Sequence, residues 1–172
     1  MTIDDIIIDD IINDYIEDYN TKKADPILKS IIQGEIPLIW FGDMEAYYTS
    51  DKKVVTVGIN PSYTEFENNP GYYAHIYLSN PHVSNDLKDL FNNYFKPKPK
   101  KINHEPHKWF EHYKKVLNLS NLKFSYDDTE ENRALHIDLC TAIATKPKWG
   151  KLNKNQKKTS QTQHYSKSYL NI

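Results

Sequence analysis

Two short apolar runs constrain this chain more than any other feature. Residues 54–59 read Val-Val-Thr-Val-Gly-Ile, and residues 134–139 read Ala-Leu-His-Ile-Asp-Leu. Both are brief and aliphatic, and the first is β-branched and bounded by Lys52-Lys53 and Pro61. Runs of this kind mark strands covered on both faces, as in sheets packed between helices.

The segments around them carry helical periodicity. Over 3–19, Ile3, Ile7, Ile11 and Tyr15, with Ile8, Ile12 and Ile16, form an apolar stripe broken by acids, which predicts an amphipathic helix packed on the core. Asp25-Pro26 resembles a helix start, with Asp as cap and Pro at the first helical position, and predicts a short helix over 26–33 ended by Gly34. Residues 37–42 predict a buried loop or strand. Helices are expected over 84–95 and over about 106–118, on Leu87, Leu90, Phe91, Tyr94 and Phe95, and on Trp109, Phe110, Tyr113, Val116 and Leu117. Residues 60–73 read as a long loop and 151–172 as a polar stretch with weak helical signal. The order predicts an α/β domain with a mainly parallel sheet. In such sheets, sites form beyond the carboxyl ends of the strands.

Length and charge set the class. The 172 residues suit one domain, divided as an acidic N-terminal helix (1–25), a core (26–152) and a basic polar tail (153–172). A single Cys excludes a disulfide scaffold and a Cys-based zinc site. No apolar run approaches the roughly 18–20 residues of a membrane span, and the acidic start lacks a signal peptide's basic end. The expectation is a cytoplasmic monomer with no membrane contact.

The formal net charge of −1 is a cancellation. Residues 1–20 hold seven acids and no base, whereas no acid follows Asp138 and seven lysines do. The remainder without the first helix is basic, as a phosphate-binding protein would be; a solvated Lys-rich surface is the competing reading. Arg133 is the sole arginine, so guanine reading by bidentate guanidinium is hardly available.

Both candidate strands end in loops able to carry chemistry. After the first comes Gly58-Ile59-Asn60-Pro61-Ser62-Tyr63-Thr64-Glu65-Phe66. Gly58 permits close backbone approach, and Pro61 biases Asn60 toward an extended conformation that would fix its amide at the strand end. As bare physics, a strand-to-loop turn explains the same residues.

The run from Val54 to Ser62 resembles the first motif of the uracil-DNA glycosylase superfamily. It is closest to branches with a Gly-Ile/Leu/Met-Asn-Pro motif, such as the mismatch-specific thymine/uracil and single-strand-selective enzymes. Residues 135–152, Leu-His-Ile-Asp-Leu-Cys-Thr-Ala-Ile-Ala-Thr-Lys-Pro-Lys-Trp-Gly-Lys-Leu, resemble the second strand and loop of bacterial glycosylase-like proteins. Segments 37–43 and 109–113 resemble them too, so the likeness covers roughly residues 36–152.

The resemblance implies a three-layer α/β/α sandwich around a short, mainly parallel sheet. It implies hydrolysis of the N-glycosidic bond of a flipped DNA base, single-stranded or in duplex, with no metal or organic cofactor. Asn60 matches the water-holding position. Gly58, Ile59, Tyr63, Phe66 and Asp138 would contact the base; Ser62, Lys146, Lys148 and Lys151 would contact DNA. For Tyr63 and Phe66 core packing competes, and for Asp138 a structural bond to backbone competes. Several branches have Asn where Asp138 stands. An ionised Asp only accepts hydrogen bonds, so the expected base is one with amino and ring N–H donors rather than plain uracil, although a protonated Asp would mimic Asn. His136 points to the same sheet face as Asp138 and reads as a core histidine.

One family feature is missing. The His-Pro-Ser-type motif of a later strand has no match, and no role carries to His164 in His164-Tyr165-Ser166. The expectation is that the C-terminal part of the domain is absent and an edge of the sheet uncovered. The alternative function is an inactive nucleic-acid- or partner-binding protein of the same fold, with the acidic first helix as the docking element.

Overall fold

The computed structural model describes residues 3–31, 39–59, 83–96, 106, 108–119, 123–127, 129–138 and 144–161, with backbone alone for 3–7, 83–86 and 119. Their elements are α1 (Ile3–Ala24), β1 (Trp40–Phe41), α2 (Met44–Thr49), β2 (Lys53–Gly58), α3 (Val83–Asn92), α4 (Phe110–Leu119), β3 (Phe124–Ser125), β4 (Asn132–Asp138), a 3-10 turn (Trp149–Lys151) and α5 (Lys154–Ser160). No described helix is long and apolar enough to cross a membrane.

The two apolar runs are strands and they are neighbours. β2 pairs with β4 in parallel along its whole length, from Lys53 opposite Arg133 to Gly58 opposite Asp138. β3 also joins β4 in parallel, whereas β1 joins it antiparallel through Trp40 opposite Ile137 and Phe41 opposite His136. The sheet is therefore small and mixed, with β4 at its centre. This is an α/β arrangement, with the parallel pairs dominating as expected.

Val55, Val57 and Ile59 are 40, 42 and 57 % exposed. β2 is thus buried on the side of Thr56 and Gly58 only. The expectation of a strand covered on both faces holds for β4 at its centre, where Ala134, Leu135 and His136 are all buried, and not for β2.

Aromatic packing on the covered side forms the core. Phe41 meets Tyr94 edge-on at 4.7 Å, Phe95 meets Phe110 at 4.9 Å, and Phe95 stacks on Tyr126 at 4.7 Å and 15°. Offset and edge-on ring pairs add about 0.5–1.5 kcal/mol each beyond the area they bury. α3 supplies Leu87, Leu90 and Phe91, continued by Tyr94 and Phe95 in the following turn; all are buried. The last residue of α3 links two other elements. Asn92 Oδ1 accepts from Trp40 Nε1 at 3.0 Å and from the Met44 amide at 3.2 Å.

α1 packs through Ile12, with Ile8 and Ile16 beside it. The helix runs five residues past the expected end at 19. Lys22, in its last turn, is buried against Asp18 at 2.6 Å. Burial pushes the Lys22 amine down, and the bonded Asp18 carboxylate opposes that.

Residues 26–31 form turns, not the expected helix. Asp25 does cap them, its Oδ1 accepting from the Ile27 and Leu28 amides. The tight turn turns Leu28 and Ile31 onto Leu152, with Trp149 at the side of that small cluster. The Lys146 amide donates to the Ile31 carbonyl at 2.8 Å and ties the same two segments. α4 begins four residues later than expected, with Phe110 and Leu117 facing the core. In the tail, α5 starts with a reciprocal capping box between Asn153 and Gln156, so part of the tail is ordered helix that buries Ser160.

α2 starts at Asp43, whose Oδ1 accepts from the Ala46 amide, while its Oδ2 meets Lys96 Nζ at 3.0 Å. Gly42 just before it has φ +118°, a conformation L side chains rarely adopt, with the Leu135 side chain and the Ala134 and Tyr126 carbonyls around it.

Two predictions follow from this packing. Phe91→Ala should cost about 3–5 kcal/mol in urea unfolding, and a cost below about 1 kcal/mol contradicts the core described. For Asp43, burial raises the carboxyl pKa, but the Ala46 amide and Lys96 outweigh it and the net shift is downward. A depressed folded-state pKa stabilises above the unfolded value of about 3.9, and that contribution fades as pH falls through the folded value. Asp43→Ala should therefore cost about 1 kcal/mol near neutrality, with the gap to wild type closing in acid below about pH 4.

Candidate functional site

The parallel register brings two residues from distant parts of the chain to one spot. Side chains alternate along a strand, so Thr56 and Gly58 of β2 share a face with their partners His136 and Asp138 of β4. The spot lies at the carboxyl ends of both strands, the end at which open α/β sheets carry their sites.

Gly58 is required there by contact. A Cβ on Gly58 would stand 2.2 Å from Asp138 Oδ1 and 3.0 Å from His136 Nε2. The first distance is far inside any non-bonded contact, and both obstacles are short, buried side chains. The Asp138 carboxylate therefore packs directly over the Gly58 α-carbon.

A buried polar chain runs back from that carboxylate. His136 Nε2 lies 3.8 Å from Asp138 Oδ1, and their side chains are 2 and 4 % exposed. This is an ion-pair distance, longer than a hydrogen bond. On the other side of the ring, Nδ1 is 2.9 Å from Thr56 Oγ1. Thr56 Oγ1 is also 2.6 Å from the Tyr126 hydroxyl and 3.2 Å from the Leu135 carbonyl. Burial pushes the Tyr126 phenol well above its ordinary value, with the Thr56 bond opposing in part, so it remains a donor.

Rings surround the imidazole. Trp109 is at 4.9 Å, Phe110 at 5.1 Å, Phe41 at 5.6 Å and Tyr113 at 5.9 Å from it. Phe110 and Tyr113 lie on α4 and Trp109 in the turn before it, so α4 covers this part of the sheet. Trp109 is 37 % exposed and forms the outer wall.

Of the residues singled out from sequence, Gly58 and Asp138 come together, both buried, and Ile59 follows with its side chain exposed. Asn60, Ser62, Tyr63 and Phe66 lie outside the described residues. Lys146, Lys148 and Lys151 are exposed, in the segment tied to Leu28 and Ile31. The sole arginine is committed to structure: Arg133 Nη1 donates to the Asp127 carbonyl at 2.7 Å and to the Glu130 carbonyl. Sequence reasoning missed Thr56 and Tyr126 as site members, and took His136 for core alone. The alternation Thr-x-Gly and His-x-Asp was visible; the register that stacks them was not.

The acidic first helix contributes a separate surface. Asp14, Glu17 and Asp18 line an open cleft of about 490 Å³ together with Lys22, Asp25 and Thr159. Among the described residues, no group of three His, Cys, Asp or Glu side chains is arranged to hold a metal ion.

Chemically, the spot offers a fixed carboxylate acceptor backed by an imidazole and walled by aromatic rings. Gly58→Ala should destabilise the fold by about 1–3 kcal/mol, as overpacking does. An unchanged urea midpoint would contradict the close approach.

No family model matches the chain, and no curated protein or solved structure matches it.

Proposed function

We propose that this chain is a DNA glycosylase-like protein with a three-layer sandwich of the uracil-DNA glycosylase kind, hydrolysing the N-glycosidic bond of a flipped base other than plain uracil. The observation that supports this reading most is the pairing of Gly58 with Asp138 across adjacent parallel strands. The two motifs that resemble the superfamily thereby meet at the end of the sheet where such a site belongs. The Gly-Ile-Asn-Pro-Ser segment continues directly from that pair.

In this reading the carbon–nitrogen bond breaks with its electron pair leaving on the base, and the sugar takes on oxocarbenium character. Water then bonds to the sugar carbon and releases a proton, while the departing base takes one up. Asn60 holds that water on the far face of the sugar. Its amide is a poor base, so its contribution is position rather than proton removal. Asp138, accepting only, selects an edge that presents an amino group beside a ring N–H and rejects the two carbonyls of uracil. The exposed lysines at 146, 148 and 151 neutralise phosphates without reading sequence.

The reading is tested by abasic-site formation on single- and double-stranded oligonucleotides bearing varied bases. Excision of a base with adjacent donors is expected, with Asn60→Ala slower by about 10²-fold and Asp138→Asn shifted toward uracil. Uracil as the best substrate, with Asp138→Asn no better on it, overturns the assigned specificity. DNA binding without excision of any base leaves the alternative, an inactive binding protein of this fold.

A further inference from the structure

The buried chain behind Asp138 contains one hydroxyl with more partners than protons. Thr56 Oγ1 faces the Tyr126 hydroxyl, the His136 Nδ1 and the Leu135 carbonyl at 2.6, 2.9 and 3.2 Å. It can donate once and accept twice. Tyr126 keeps its proton because of its burial, and in the arrangement considered it gives that proton to Thr56 across 2.6 Å. The Thr56 proton then has two destinations, the imidazole nitrogen or the carbonyl.

Those destinations match the two states of the ring. When His136 is neutral with its proton on Nε2, Thr56 donates to the bare Nδ1. When His136 carries both protons, Nδ1–H donates to Thr56, and the Thr56 proton turns to the Leu135 carbonyl. Thr56 Oγ1 and His136 Nδ1 keep their hydrogen bond in both cases. The third form, neutral with the proton on Nδ1, aims the Nε2 lone pair at Asp138 Oδ1 across 3.8 Å. With Asp138 ionised that contact is repulsive, at a depth where repulsion is weakly screened.

We propose that Thr56 keeps an Nε2–H of His136 aimed at Asp138 in both protonation states of the ring, which makes His136 the positioning residue for the Asp138 carboxylate. The carboxylate is then held oriented and acceptor-only from behind, while Gly58 closes the space above it. The inference deepens the glycosylase reading and rests on it only for what Asp138 contacts in a substrate. Among the described residues, the groups facing the ring are Asp138 on its own strand, Thr56 on β2, Phe41 on β1, and Trp109, Phe110 and Tyr113 at α4. Tyr126 stands behind Thr56. The titratable ones among them are Asp138, Tyr113 and Tyr126, and none of these described groups is a cation.

The test is proton–nitrogen correlation of the His136 ring in the full chain without DNA, recorded at neutral pH and again in acid. Nε2 should resonate as a protonated nitrogen in both, and any proton the ring takes up should appear on Nδ1. Thr56→Ser should preserve this pattern, and Thr56→Val should mix the two neutral tautomers. A neutral ring protonated on Nδ1, or a Thr56→Val pattern identical to wild type, overturns the proposal. Should Thr56→Val not fold, the wild-type spectrum decides alone. The expected pattern in a protein that excises no base upholds the positioning role and overturns the glycosylase reading only.

Discussion

The rest of the site depends on the contact between Gly58 and the Asp138 carboxylate. Two strands paired in parallel bring their side chains side by side, and at the last pair one partner must have none. That one absence lets a carboxylate and an imidazole sit within the sheet's covered face rather than at its rim. A methyl group there would displace the buried carboxylate or part the two strands. The Gly58 position is thus set by chemistry on the neighbouring strand.

Burying such a pair demands that its polar atoms be satisfied. The Thr56 hydroxyl and the Tyr126 phenol supply hydrogen bonds on one side of the ring, and aromatic edges supply packing on the others. Structural roles explain much of this arrangement: His136 fills the core beside Phe41 and Phe110, and Tyr126 stacks on Phe95. A purely structural role has less need of a carboxylate at the open end of the strands. Buried acids are seldom kept for stability, because removing them from water costs more than an apolar replacement would.

Much of this architecture was legible in the residues, and the limits are physical. The strands at 53–58 and 132–138 were visible because β-branched and aliphatic runs have few other uses at that length. Short elements were not: β3 is two residues held by β4, and α2 depends on the Asp43 cap and on Asn92, 48 residues from Met44. Of the helix expected at 26–33, the described residues 26–31 form a turn instead, because Leu28 and Ile31 are claimed by Leu152, a contact across the chain that no local pattern records. At the site, Gly58 and Asp138 were identified singly. Their meeting depends on strand register, and a shift by one residue would have sent His136 and Asp138 to opposite faces from Thr56 and Gly58.

The proposed glycosylase function requires DNA to engage the carboxyl ends of β2 and β4 rather than the basic tail alone. Backbone amide shifts of the labelled full chain, titrated with a duplex carrying a stable abasic analogue, test it most directly. The largest changes are expected at Gly58, Ile59 and Asp138, with smaller ones across 146–151. Saturation with those three amides unmoved, and changes confined to the lysine segment or to α1, would contradict it.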